Sequence, residues 1–92
     1  MEGNFEKTLE KLNDMRIKIA SCIKALSRRN IYLSGVRDTE IEDCFEDCVN
    51  VLNDINMCEL TLNENLGEGL ILFKSLNSDY IDTLRFVKKA IN

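Results

Sequence analysis

Apolar residues recur along this chain in alternating steps of three and four, the spacing that holds one face of an α-helix against a neighbour. In the first segment Phe5, Leu9, Leu12, Ile19, Ile23, Leu26 and Leu33 form a stripe whose polar members are Arg16 and Asn30. Met15, Cys22 and Ala25 broaden that stripe to the width of a bundle helix. The second stripe runs Ile41, Phe45, Cys48, Leu52, Ile55 and Leu62, flanked by Cys44, Val51 and Cys58, with Glu59 as its polar exception. The third reads Leu66, Leu70, Phe73, Tyr80, Leu84, Val87 and Ile91, interrupted by Asn77. No segment sustains the strict alternation of a strand, and the chain has no proline to break a helix. The pattern predicts an all-α fold of long amphipathic helices with coiled-coil-like seams.

The junctions set the element boundaries. Gly35, in "LSGVRDTEIE", is the residue type that ends helices in the left-handed conformation. Thr39 follows four residues later, and Glu42 lies three beyond it. That is the spacing of a capping box, in which hydroxyl and carboxylate each satisfy a backbone N–H of the first turn. Helix one is therefore expected over about 4–34 and helix two over about 40–62. The stretch "NENLGEG", 63–69, reads as a turn, because each glycine costs roughly 1 kcal/mol inside a helix. A competing spacing, Leu66, Gly69, Phe73, Leu76 and Tyr80, carries the register of helix two straight through. The choice between a turn and one long helix stays open here. With the turn, helix three covers about 68–91, and Ser78 offers an N-cap for a break near 77–79. The expected architecture is a three-helix up-down-up bundle, or a four-helix one with that break. Residues 1–92 form a single domain, as befits a chain shorter than the usual 100–150 residues.

Charge divides the same segments. Residues 1–37 carry eight Lys/Arg against four Asp/Glu, whereas residues 38–68 carry ten carboxylates and no basic side chain. Residues 69–92 return to four basic against two acidic residues, leaving a formal net charge of −4. In an up-down-up bundle the acidic start of helix two lies beside the basic ends of its neighbours, Arg28 and Arg29 on one side and Arg85, Lys88 and Lys89 on the other. Acids at a helix N-terminus are also favoured by the macrodipole, by about 0.3–1 kcal/mol each.

The densest chemistry is "DTEIEDCFEDC", 38–48, with six carboxylates and two cysteines in eleven residues. Catalysis there is not expected. The chain contains no histidine, so Ser-His and Cys-His arrangements are absent, and no glycine loop with a P-loop lysine is present. Cys44 and Cys48, spaced i, i+4 on one helix face, are the weak candidates for a metal. They lie on the apolar stripe, and free cysteine is among the most buried residue types, so packing is the expected role. No cofactor and no small-molecule substrate are expected.

Two functional classes remain. The first is a protein–protein interaction module, an assembly subunit or an inhibitor, working through an apolar helical face. Ile17, Ile31, Val36, Val49, Met57 and Ile81 lie off the seams or at their margins, where a bundle this small cannot cover everything. Its partner would be a second copy or a different protein. The alternative is an acidic decoy that imitates nucleic acid and blocks a basic cleft, using Asp38, Glu40, Glu42, Asp43, Glu46 and Asp47. Direct nucleic-acid binding is not expected at a pI near 4.8. The longest apolar run, "LILF", is far below the roughly 18 residues of a membrane span. A cytosolic or nuclear protein that is not secreted is expected, with reduced thiols.

Overall fold

The computed structural model describes residues 2–32 and 39–91. They form α1 (Glu2–Tyr32), α2 (Thr39–Glu64) and α3 (Leu66–Ile91), packed against one another in an all-α three-helix bundle. No strand occurs among the described residues. Gly35 and the chain around it lie outside the described residues, so the end expected for helix one is compared only as far as Tyr32.

Cross-helix contacts give the directions. Arg16 on α1 reaches Glu59 and Asn56 on α2, while Lys11 on α1 lies over the ring of Phe73 on α3, 5.8 Å from its centroid. Lys18 and Cys22 of α1 share a cleft with Leu84 and Lys88 of α3. Residue numbers thus rise together along α1 and α3 and fall along α2, which is the up-down-up order.

The reversal between α2 and α3 takes one residue. The Asn65 N–H donates to the Thr61 carbonyl at 2.7 Å, closing α2, and the Asn65 carbonyl accepts from the Gly69 N–H at 3.0 Å, opening α3. Its side chain also accepts from the Glu68 N–H at 3.1 Å, satisfying one of the donors that a helix start leaves without an intrahelical partner. A continuous helix through both elements would measure about 80 Å at ~1.5 Å per residue. The molecule's longest dimension is 51 Å, so the one-long-helix alternative is overturned.

The turn expected over 63–69 contracts to Asn65, and helix two runs to Glu64 rather than 62. Helix three begins at Leu66 rather than 68, taking in both glycines. Gly69 is buried where α2 and α3 meet, and a Cβ on it would stand 2.5 Å from Leu62 Cδ2 and 2.7 Å from Leu62 Cα. That glycine is in the helix because nothing larger fits beneath Leu62. The break considered near 77–79 does not occur: α3 passes through Ser78, which is exposed.

The core follows the anticipated stripe on α1, where Leu12, Ile19 and Leu26 are fully buried, and sits slightly round from it on α2 and α3. The residues expected to widen the stripes are central: Met15 on α1, and Cys44, Val51 and Cys58 on α2, are all buried. On α2 the buried line is Ile41, Cys44, Cys48, Val51, Ile55, Cys58 and Leu62, an unbroken three-four alternation. On α3 Gly69, Leu76, Thr83 and Val87 are buried. Phe5, Leu9, Phe45, Leu52, Phe73 and Leu84 are partly buried and seal the margins. Leu12, Ile19, Leu26, Ile41 and Ile55 fill the centre together with the thiols of Cys44, Cys48 and Cys58, while the aromatic rings of Phe5, Phe45 and Phe73 cover the edges.

Candidate functional site

The two polar exceptions to the stripes meet each other. The Arg16 guanidinium donates to Glu59 Oε1 at 3.2 Å, to Asn56 Oδ1 at 3.0 Å and to Asn13 Oδ1 at 2.8 Å. Both charged side chains keep about a third of their surface in water (28% and 37%), so this ion pair contributes roughly 0–1 kcal/mol. Its larger effect is on alignment, since any slip between α1 and α2 takes the guanidinium away from Glu59 and Asn56, its two acceptors on α2.

The cysteines are internal. Cys44, Cys48 and Cys58 are buried, Cys22 is half-buried, and all four are free thiols. Burial pushes the Cys48 thiol up to about 12, helped by the neighbouring Cys22 and Cys44 and by Asp47. Burial also raises Cys22, opposed by Lys18, and raises Cys58. The Cys58 thiol donates to the Gly69 carbonyl at 3.5 Å. Such thiols hold their protons at neutral pH and are poor nucleophiles and poor ligands. Among the described residues no three His, Cys, Asp or Glu side chains converge as a metal site would require.

The acids of the α2 start are outward-facing for the most part. Glu40, Glu42, Asp43 and Glu46 are exposed and Asp47 is half-buried; Asp38 lies outside the described residues. Among the described residues Asp43, Glu46 and Asp47 have no Lys or Arg nitrogen within 4.0 Å, so the pairing anticipated with basic neighbours is not made at those three positions.

Of the apolar residues proposed for partner binding, Ile17, Val49, Met57 and Ile81 are exposed; the Ile31 side chain and Val36 are outside the described residues. The four do not form one patch. Ile17 is on α1, and Val49 lies on the side of α2 remote from α3, as its offset from the buried seam dictates. Met57 belongs to a different grouping, which the sequence reading missed. It shares an open cleft between α2 and α3 with Leu72. Leu60, one turn from Met57, and Ile71, next to Leu72 in sequence, are exposed near the same level of the hairpin without lining the cleft. Leu60 is 58% exposed, as is Met57, and Ile71 70%. The missing signal was the true seam: once 55, 58 and 62 face inward, 57 and 60 must face outward.

The cleft continues along the bundle and changes character. Asp54 and Asp79 line both the apolar stretch and its extension, where Asp47 and Asp82 join them around a volume of about 350 Å³. No basic side chain lines either stretch. On another side of the bundle α1 and α3 enclose a cleft of about 340 Å³ with Leu84, Val87 and Ile91 inside and Lys18 and Lys88 bordering it.

No helix among the described residues is long and apolar enough to cross a membrane. No protein-family model matches the chain, and no curated protein and no solved structure is significantly similar to it.

Proposed function

We propose that this chain is a protein–protein interaction module, an assembly subunit or an inhibitor of its partner, that binds through the outer face of α2 and α3. The observation carrying this reading is the cleft that brings exposed Met57 and Leu72 together, with exposed Leu60 and Ile71 near the same end of the hairpin. Burying one such side chain gives about 1.5–3 kcal/mol before the costs of association are subtracted. Met57 supplies an adaptable contact of the kind found at binding surfaces.

A photo-crosslinking residue at position 60 or 71, in cells that make the protein, tests this reading. A discrete adduct from those positions, absent when the crosslinker replaces exposed Glu10, supports it. Equal adducts from all three positions, or none from any, refute it. Light-scattering mass then separates a second copy from a different protein, since a self-assembled pair has twice the 10.6 kDa of one chain.

A second reading, the acidic decoy, is favoured by Asp43, Glu46 and Asp47 lacking counter-charges among the described residues. A decoy needs no apolar anchor. Its binding falls steeply with salt and survives removal of Met57 and Leu72, whereas apolar binding has the opposite dependence.

A further inference from the structure

We infer that the occupant of the α2–α3 cleft is a basic amphipathic helix of a different protein, apolar at one end and carrying Lys or Arg along the rest of the same face. This inference rests on the interaction reading and specifies the partner's chemistry. The cleft has an apolar end, Met57 and Leu72, followed by Asp54 and Asp79 and then by Asp47 and Asp82. Among the described residues these four carboxylates make no hydrogen bond or ion pair, so the fold does not consume their charge. An occupant without basic groups would strip water from them and give nothing in return. A trough between two antiparallel helices is the shape into which a third helix lays its face.

A second copy of this chain is a poor occupant. If two clefts met in parallel, aspartates would face aspartates. In the antiparallel arrangement each set of aspartates would press on the other copy's Met57 and Leu72. Both arrangements cost charge repulsion or desolvation. The α1 of a second copy is no better, because exposed Glu6, Glu10 and Asp14 alternate with its lysines.

The spacing specifies the partner further. Met57 lies three residues from Asp54 and ten from Asp47, or about 4.5 and 15 Å along the axis at ~1.5 Å per residue. A matching helix has its apolar anchor in one turn, a first Lys or Arg about one turn on, and a second about three turns on.

The test uses the full chain and a fluorescein-labelled alanine-based peptide of about 18 residues, with leucines in one turn and lysines at those spacings. Fluorescence anisotropy should show saturable binding, lost when the lysines become glutamates. The pair Asp54→Asn with Asp79→Asn, and separately Met57→Ser with Leu72→Ser, should each weaken binding at least about tenfold with an unchanged thermal midpoint. The charge-matched control Glu6→Gln with Glu10→Gln should leave it unchanged. Absence of saturable binding, or equal loss in the control pair, overturns the inference. Loss in the aspartate pair alone, with the Met57 and Leu72 pair still binding, also overturns it and points to capture by charge. A partner crosslinked through position 60 by an acidic or uncharged segment overturns the basic-helix assignment while leaving the interaction reading standing.

Discussion

α2 has two faces built from different chemistry. Its inner face is a seam of Ile41, Cys44, Cys48, Val51, Ile55, Cys58 and Leu62, all buried. Its side toward the α2–α3 cleft carries Asp47, Asp54 and Met57. The inner face tolerates little change because each side chain there is surrounded, and its groups have no access to solvent. The outer residues are constrained by nothing visible inside the bundle. A helix that spends large apolar side chains and unpaired carboxylates where folding gains nothing from them is carrying a second specification, and that is the argument for a binding face.

Substitutions can break this contrast. The largest expected effect is Ile55→Ala, which opens a cavity at a fully buried position and should cost about 2–5 kcal/mol in urea denaturation. Leu60→Ala, a similar truncation on the outer face, should stay within about 0.5 kcal/mol. Comparable losses at both positions would show that the outer face belongs to the fold.

Gly69→Ala comes next. The added methyl collides with Leu62, side chain and backbone both, so it should destabilise by about 1–3 kcal/mol despite alanine's better helix propensity. Combining it with Leu62→Ala should cost less than the sum of the single changes, a coupling that a double-mutant cycle reads directly.

The buried thiols predict a loss of stability in alkali. Below pH 9 the folded and unfolded thiols are both protonated. Above the ordinary value of 9.0 the unfolded chain releases its thiol proton, while folded Cys48 keeps its own to about 12. Stability should therefore fall across that interval, and Cys48→Ala should flatten the decline. At neutral pH a thiol reagent should modify half-buried Cys22 first and reach Cys44, Cys48 and Cys58 at the rate of unfolding.

The smallest effect is expected of Glu59→Gln, no more than about 1 kcal/mol and smaller still in high salt, because the pair with Arg16 is partly solvated.

The number of helices stayed open at 63–69 and 77–79, whereas the all-α fold and the start of α2 within about a residue of Thr39 were readable from periodicity and capping chemistry. So were the exposed positions of Ile17, Val49, Met57 and Ile81, although the surface that gathers around Met57 was not. The stripe of α1 was read correctly at Leu12, Ile19 and Leu26, but that of α2 was read too far toward Phe45 and Leu52, because hydrophobicity ranks them above Cys44 and Cys58, which are the buried pair. The turn misled the reading for a related reason. Two glycines were counted by propensity as a break, yet the spacing Asn65 to Glu68 was the helix-start signal, and Gly69 serves close approach. Arg16 and Glu59 each registered as an exception, and nothing in a linear pattern says that two exceptions 43 residues apart are partners.

The one-residue reversal at Asn65 has a kinetic consequence. Leu62 and Gly69 touch across a separation of seven residues, so closing the α2–α3 hairpin gives up little chain entropy. Arg16 and Glu59 must close a far longer span before their contact repays anything. The expected order of assembly is an α2–α3 nucleus onto which α1 docks afterwards. Destabilising changes at the hairpin should slow refolding, whereas those on α1, such as at Leu12, should chiefly speed unfolding.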